Sequence, residues 1–122
     1  NAELHFGSEY IFNKINYCEN INEGSILITG EGRVDEQTLN MKAPFSLVNY
    51  LKNKNIFSVA IGGIVDYKHL NILLQSFDLI FSTSESNNNI KSLNDARKNL
   101  IDTSFEIAGI IKHKINNNYI NY

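Results

Sequence analysis

Residues 26–44, ILITGEGRVDEQTLNMKAP, decide how the chain is read. The opening residues belong to a short apolar run, residues 25–29, rich in β-branched side chains. It does not alternate with polar residues, so it predicts a strand buried on both faces. Gly30 ends that strand. Residues 30–42 then hold two glycines, an arginine, several acids and a lysine. In open α/β sheets, ligands bind beyond the carboxyl ends of the strands, which is where such a segment would lie.

Two further runs repeat the pattern. Residues 57–61 read as a strand closed by Gly62-Gly63, and residues 79–81 as a strand followed by Ser82-Thr83-Ser84. A helical pattern follows each strand. Pro44 suits the first turn of a helix to about Lys54, with Val48 and Leu51 on its inner face. Asp66 can cap a helix to about Gln75 that carries Leu70, Leu73 and Leu74. Ser92 and Asp95 resemble a capping box opening a long helix to about Ile115. Its apolar stripe is Leu93, Ala96, Leu100, Ile107, Ala108, Ile111 and Ile115. Ahead of the first strand, residues 6–17 predict another helix, with Ser8 as a helper at its cap. Residues 20–24 read as a turn, 85–89 as a loop and 116–122 as a frayed tail.

Strand and helix in alternation predict an α/β fold: three layers, with a short parallel sheet flanked by helices and joined by right-handed crossovers. Three strands are few for a parallel sheet, whose faces and edges need cover. The chain therefore reads as part of a larger sheet or as one that pairs with itself in a homodimer. Asn1-Ala2, with no initiator Met, reads as the remnant of a cleaved tag, leaving 3–122 as a single domain fragment.

Composition narrows the function classes. The 122 residues suit one domain with a modest core. Hydrophobic content of 43% and charged content of 20% are ordinary for a globular chain. A net charge of −2 without a basic block argues against a nucleic-acid partner. No apolar run reaches the roughly 20 residues of a membrane span. A lone Cys18 cannot staple the chain, so a reducing cytoplasm is expected.

The charged stretch suits anion chemistry. Gly30 and Gly32 permit unusual backbone angles and close approach of a ligand to main-chain N–H groups. Arg33 offers a planar fork for carboxylate or phosphate, and Lys42 a mobile point charge. Glu31 and Asp35 could bind Mg²⁺, hold Arg33 or take a proton from a hydroxyl. The alternative is a strand exit whose charges pair with each other. No dinucleotide fingerprint forms, because Asp35 stands where its third glycine would be, and no P-loop motif occurs. His5, His69 and His113 are scattered and suggest no metal site; His69 reads as solvated. Tyr10, Phe12 and Tyr17 read as helix packing.

The same stretch resembles the signature of the bacterial glycerate kinase family, of the glycerate 2-kinase type. That pattern runs roughly T-G-E-G-R-[IF]-D-x-Q-T-x-x-G-K-A-P. The likeness continues in FSVAIGG, in FDLIFST and in the helix SLNDARKNLIDTSFEIAGII. It implies that the chain is the C-terminal part of a longer enzyme, a Rossmann-like partial domain whose remaining strands come from a missing N-terminal part. It implies phosphoryl transfer from ATP to D-glycerate, giving 2-phosphoglycerate, with Mg²⁺. The matching site positions are Gly30, Glu31, Gly32, Arg33, Asp35, Gln37, Thr38 and Lys42. Arg33, Asp35 and Lys42 carry the expected catalytic roles. Two positions depart from the pattern: Met41 and Ser46 stand where the family has glycine. A methionine forced to positive φ there costs on the order of 1 kcal/mol, which predicts an altered lysine loop.

Overall fold

A computed structural model describes residues 3–40, 42–84 and 93–117. Three strands, β1 (Ile26–Val34), β2 (Phe57–Val65) and β3 (Leu79–Ser82), form one parallel sheet in the order β1-β2-β3. Four α-helices accompany them: α1 (Gly7–Lys14), α2 (Ala43–Leu51), α3 (Leu70–Leu73) and α4 (Leu93–Asn116). This is the expected α/β class.

The layers follow from strand alternation, which sends successive side chains to opposite faces. Leu27 and Ala60 pack with Val48 and Leu51 of α2 and with Phe77. On the other face Phe57 and Val59 pack against Ile107, with Ile111 and Ile115 of α4 beside them. Val48, Leu51, Ile107, Ile111 and Ile115 thus take the inward positions that the sequence predicts. The amino end of β2 is fastened by Asp78, whose Oδ2 accepts from Ser58 N at 2.7 Å and from Ser58 Oγ at 2.8 Å. Those bonds satisfy a serine that is only 3% exposed, and they tie β2 to the residue before β3.

Helix boundaries differ from the sequence reading for identifiable reasons. α1 stops at Lys14 because Asn16 turns left-handed (φ 50°), and a 3-10 turn, Tyr17–Asn20, follows. Its N-cap is Phe6, not Ser8, and no side chain caps it. The aromatic packing role holds for Phe12, whose ring lies 5.8 Å from Tyr17 and 5.6 Å from Tyr50 of α2. α2 begins with Pro44 in its first turn and tightens into a 3-10 turn, Lys52–Lys54. Asp66 does cap, accepting from Lys68 N at 3.0 Å, but the segment starts as a 3-10 turn, Tyr67–His69, before α3. Ser92, the outer half of the expected capping box on α4, lies outside the described residues, as do Met41 and Glu85.

The largest difference concerns strand length. β1 does not end at Gly30 and β2 does not end at Ile61. Both run four residues further, and Arg33 and Val34 pair with Ile64 and Val65. Val34 and Val65 then pack in a third cluster with Leu73, Leu39, Leu70 and Ile80. Simple alternation would send both valines to the α4 face. The phase therefore shifts between Leu27 and Val34 and between Ala60 and Val65, the stretch that holds Gly30, Gly32, Gly62 and Gly63. Among the described glycines only Gly24 has positive φ. Gly30 and Gly32 therefore do not supply the unusual backbone angles expected of them. What glycine supplies is closeness: a Cβ on Gly63 would stand 2.6 Å from the Gly32 carbonyl oxygen.

Candidate functional site

The charged residues gather where β1 leaves the sheet. The strand ends at Val34, and Asp35 caps a 3-10 turn, Glu36–Leu39. The Asp35 carboxylate accepts from Gln37 N at 2.9 Å, while Thr38 Oγ1 accepts from Asp35 N at 3.1 Å. This reciprocal pair satisfies donors that the turn would otherwise leave unpaired. Having accepted from Asp35 N, the Thr38 hydroxyl donates its own proton to Glu31 Oε1. Thr38 is fully buried. It is placed to aim Glu31, not to touch a ligand.

Asp35 is also the hub for the cations. Its Oδ2 accepts from Arg33 Nε at 3.1 Å, and its Oδ1 lies 4.0 Å from Lys42 Nζ. The alternative reading of the stretch holds to this extent: its charges do pair with each other. Arg33 is the more open partner, with its side chain 59% exposed against 15% for Asp35. Only its Nε is engaged among the described residues, and the terminal guanidinium nitrogens have no partner among them. Lys42 is the N-cap residue of α2. Ser46, one turn on, is buried, and its N–H donates to Lys42 O at 2.9 Å.

An open groove of about 430 Å³ lies over the carboxyl halves of β1 and β2, with Ala96 and Leu100 of α4 on its other side. Gly30, Glu31 and Gly32 form its floor with Gly63, and Thr83 and Ala96 line it further on. β1 is an edge strand, so half of its main-chain N–H and C=O groups face away from β2. Bare glycines leave those groups approachable. The structure thus brings Gly30, Glu31, Gly32, Arg33, Asp35, Thr38 and Lys42 to one strand end. Gln37 contributes its backbone N–H there, with an exposed side chain.

His69 is placed differently from its solvated reading. Its Nδ1 lies 3.0 Å from Asp66 Oδ2 and its Nε2 3.5 Å from Glu36 Oε2. It links the turn after β2 to the turn after β1. The His69 hydrogen bond, with that of Lys68 N, holds the Asp66 carboxyl below its usual value. This pair gave no signal in the sequence, because the two turns are far apart in the chain. The Asp35–Thr38 pairing did have one: an acid and a threonine three residues apart are spaced as N-cap and N3.

Comparison with known proteins matches residues 1–112 to the Glycerate kinase family. A glycerate kinase of Bacillus cereus is 32% identical over 112 residues, covering 91% of this chain and 29% of the relative. One from Haemophilus influenzae is 23% identical over 93% of the chain and 30% of the relative. The glycerate 2-kinase of Escherichia coli is 36% identical over 53% of the chain and 17% of the relative. The chain spans less than a third of the length of these relatives. No solved structure matches it. A match of this extent, with the TGEGRVDEQT stretch folded into one charged strand exit, settles the family: the chain belongs to the glycerate kinase family.

Proposed function

We propose that the chain is the C-terminal portion of a glycerate kinase. The whole protein would transfer the γ-phosphoryl group of ATP to D-glycerate, giving 2-phosphoglycerate, in the cytoplasm. The observation that carries this reading is the strand exit of β1. There an open arginine, a lysine and an oriented glutamate surround bare strand backbone in a chain of this family. Phosphoryl transfer asks mainly for positioning and charge neutralisation, and this inventory supplies both.

The roles follow from what each group has free. Asp35 holds Arg33 through Nε and leaves its terminal nitrogens to grip the glycerate carboxylate or a phosphate bidentately. Both Asp35 oxygens are engaged by the turn and by Arg33, so its part is to position. Lys42 neutralises phosphate charge. Glu31 has one oxygen fixed by Thr38 and a second with no hydrogen bond among the described residues. That second oxygen is the better base for the substrate hydroxyl, and it would hold Mg²⁺ where the phosphates complete the coordination. The donor set therefore fits ATP and Mg²⁺, which would bring the transferable phosphoryl group and its charge shielding. Gly30 and Gly32 let phosphate oxygens reach main-chain N–H groups.

The decisive experiment is a coupled ATP and D-glycerate assay on the full-length protein, wild type against Arg33→Ala and Glu31→Gln. Turnover in wild type, lost by at least about 100-fold in each variant, is expected. Turnover retained in both would refute the assignment of this strand exit. The 122-residue chain alone should not turn over, because the remaining part of the relatives' length would furnish the opposite wall.

A second reading, a non-catalytic relative that binds a nucleotide or anion or dimerises, draws on exposed apolar surface. Ile28 on the β1 edge is 52% exposed and Phe105 on α4 is 75% exposed. The same surface suits docking of the missing N-terminal part. Among the described residues no helix is long and apolar enough to cross a membrane.

A further inference from the structure

A second groove, of about 370 Å³, lies where β3 ends against α4. Its floor is Ser82-Thr83-Ser84, the segment just past the carboxyl end of β3. Its wall is one face of α4: Asn99, Asp102, Thr103 and Glu106 recur at helical spacing and line it together. Thr83 also lines the glycine groove along β1, so the two grooves adjoin.

The floor carries an unmet need. Ser82 Oγ donates to Ser84 O at 2.7 Å and accepts from Ser84 N at 3.3 Å, so the Ser84 backbone is satisfied. Its side chain is not. Ser84 is 8% exposed, and its Oγ has no hydrogen-bond partner among the described residues. Buried hydroxyls are rarely left unpaired, and such a group at a groove floor is poised for a ligand.

The wall says which ligand. Asp102 and Glu106 are carboxylates, and they repel phosphate. Asp102 is answered by Lys98 Nζ at 2.6 Å, whereas Glu106 has no ion pair among the described residues. No group of three or more metal-ligating side chains occurs among the described residues, so the donor set does not describe a cation site. Carboxylates beside hydroxyls suit a neutral ligand rich in O–H donors. A carboxylate that accepts from adjacent hydroxyls is how α/β folds hold ribose. Tyr67, 58% exposed, lines the same groove and offers a ring to the C–H face of such a ligand.

We propose that the groove between the end of β3 and α4 binds a vicinal diol through Ser84, Asp102 and Glu106. The diol is that of a nucleotide's ribose, whose phosphates would cross Thr83 to the glycines of β1. This rests on the kinase reading and deepens it.

The test is calorimetric titration of the full-length protein with three ligands: ATP, 2′-deoxy-ATP and inorganic tripolyphosphate. Wild type is compared with Glu106→Ala and Ser84→Ala. Glu106 is exposed, so its truncation leaves the fold intact; a thermal melt checks Ser84→Ala. About tenfold weaker binding is expected for the diol-bearing ligand, with its deoxy counterpart and tripolyphosphate unaffected. A loss confined to ATP assigns the ribose. No loss, or equal loss for ATP and 2′-deoxy-ATP, overturns the diol site while wild-type binding keeps the kinase reading standing. Wild type that binds neither nucleotide overturns both.

Discussion

The two ends of the β1–β2 pair are built on opposite rules. At the amino ends, Leu27, Phe57, Val59 and Ala60 alternate regularly, and each fills one of two cores. At the carboxyl ends, side chains are withheld: Gly30, Gly32, Gly62 and Gly63 leave backbone bare, and at Gly62 and Gly63 a Cβ would stand 2.8 Å and 2.6 Å from a carbonyl oxygen. One end is stabilised by area removed from water, about 25 cal/mol per Å². The other gives up that area so that charged groups can stand around an open edge. Packing and the candidate site are thus separated along two strands of a single sheet.

The sharpest way to break this division is at the packed end. Phe77 is 1% exposed and joins Leu27, Ala60 and Leu51. Phe77→Ala should cost about 4 kcal/mol in urea unfolding. A cost below about 1 kcal/mol would mean that the amino ends are not the stabilising half. Next comes Gly63→Ala, whose new Cβ would meet the Gly32 carbonyl oxygen at 2.6 Å. Backbone cannot yield as a side chain tip can, so a loss of about 2–3 kcal/mol is expected.

Thr38→Val tests the turn. It removes the hydroxyl that joins Asp35 N to Glu31, leaving both groups short of a partner. We expect about 1–2 kcal/mol of destabilisation and a fall in kcat of the full-length protein. Gly32→Ala is the companion to Gly63→Ala. A Cβ there meets nothing within 4 Å, so unfolding should move by no more than about 0.5 kcal/mol. Affinity for nucleotide should still drop, because the methyl group enters the groove. Equal destabilisation by both glycine substitutions would erase the distinction between a structural and a functional glycine.

The smallest effect is a pH dependence. The Asp66 carboxyl titrates below its ordinary value because of His69 and the Lys68 N–H. A depressed acid favours folding above its unfolded pKa of about 3.9, and that contribution is lost as pH falls through the folded value. Asp66→Asn should therefore flatten the acid limb of the stability curve below about pH 4. An unchanged limb would show that the turn after β2 is not held by this pair.

Local pattern was enough for the class of the fold and for the place where the charged residues gather. Unbroken apolar runs marked the three strands, and amphipathic spacing marked the inner face of α2 and the Ile107, Ile111 and Ile115 part of α4, whereas Leu93 and Leu100 of the same stripe are exposed. Glycine and charge after the first run marked the strand exit. Strand ends were not legible, because residues 30–34 lack the apolar signal of a strand and become one only by pairing with residues 61–65. Nor was the division of labour among the charged residues. The residue types Glu31, Arg33, Asp35 and Thr38 name a chemistry. Which of them holds and which is held depends on burial, and burial is a property of the assembled turn.

By itself, then, the sequence determined an α/β chain of the glycerate kinase family with an anion-suited strand exit. Backbone propensity and hydrophobic period act over a few residues and can be read there. Only the tertiary structure decided that the glycines serve closeness rather than turning, that Thr38 aims Glu31, and that His69 ties two turns together. It alone set Ser84, two residues past β3, in one groove with Asp102 and Glu106 of α4. Each of these depends on how strands, turns and helix meet once folded, and no local pattern encodes such a meeting.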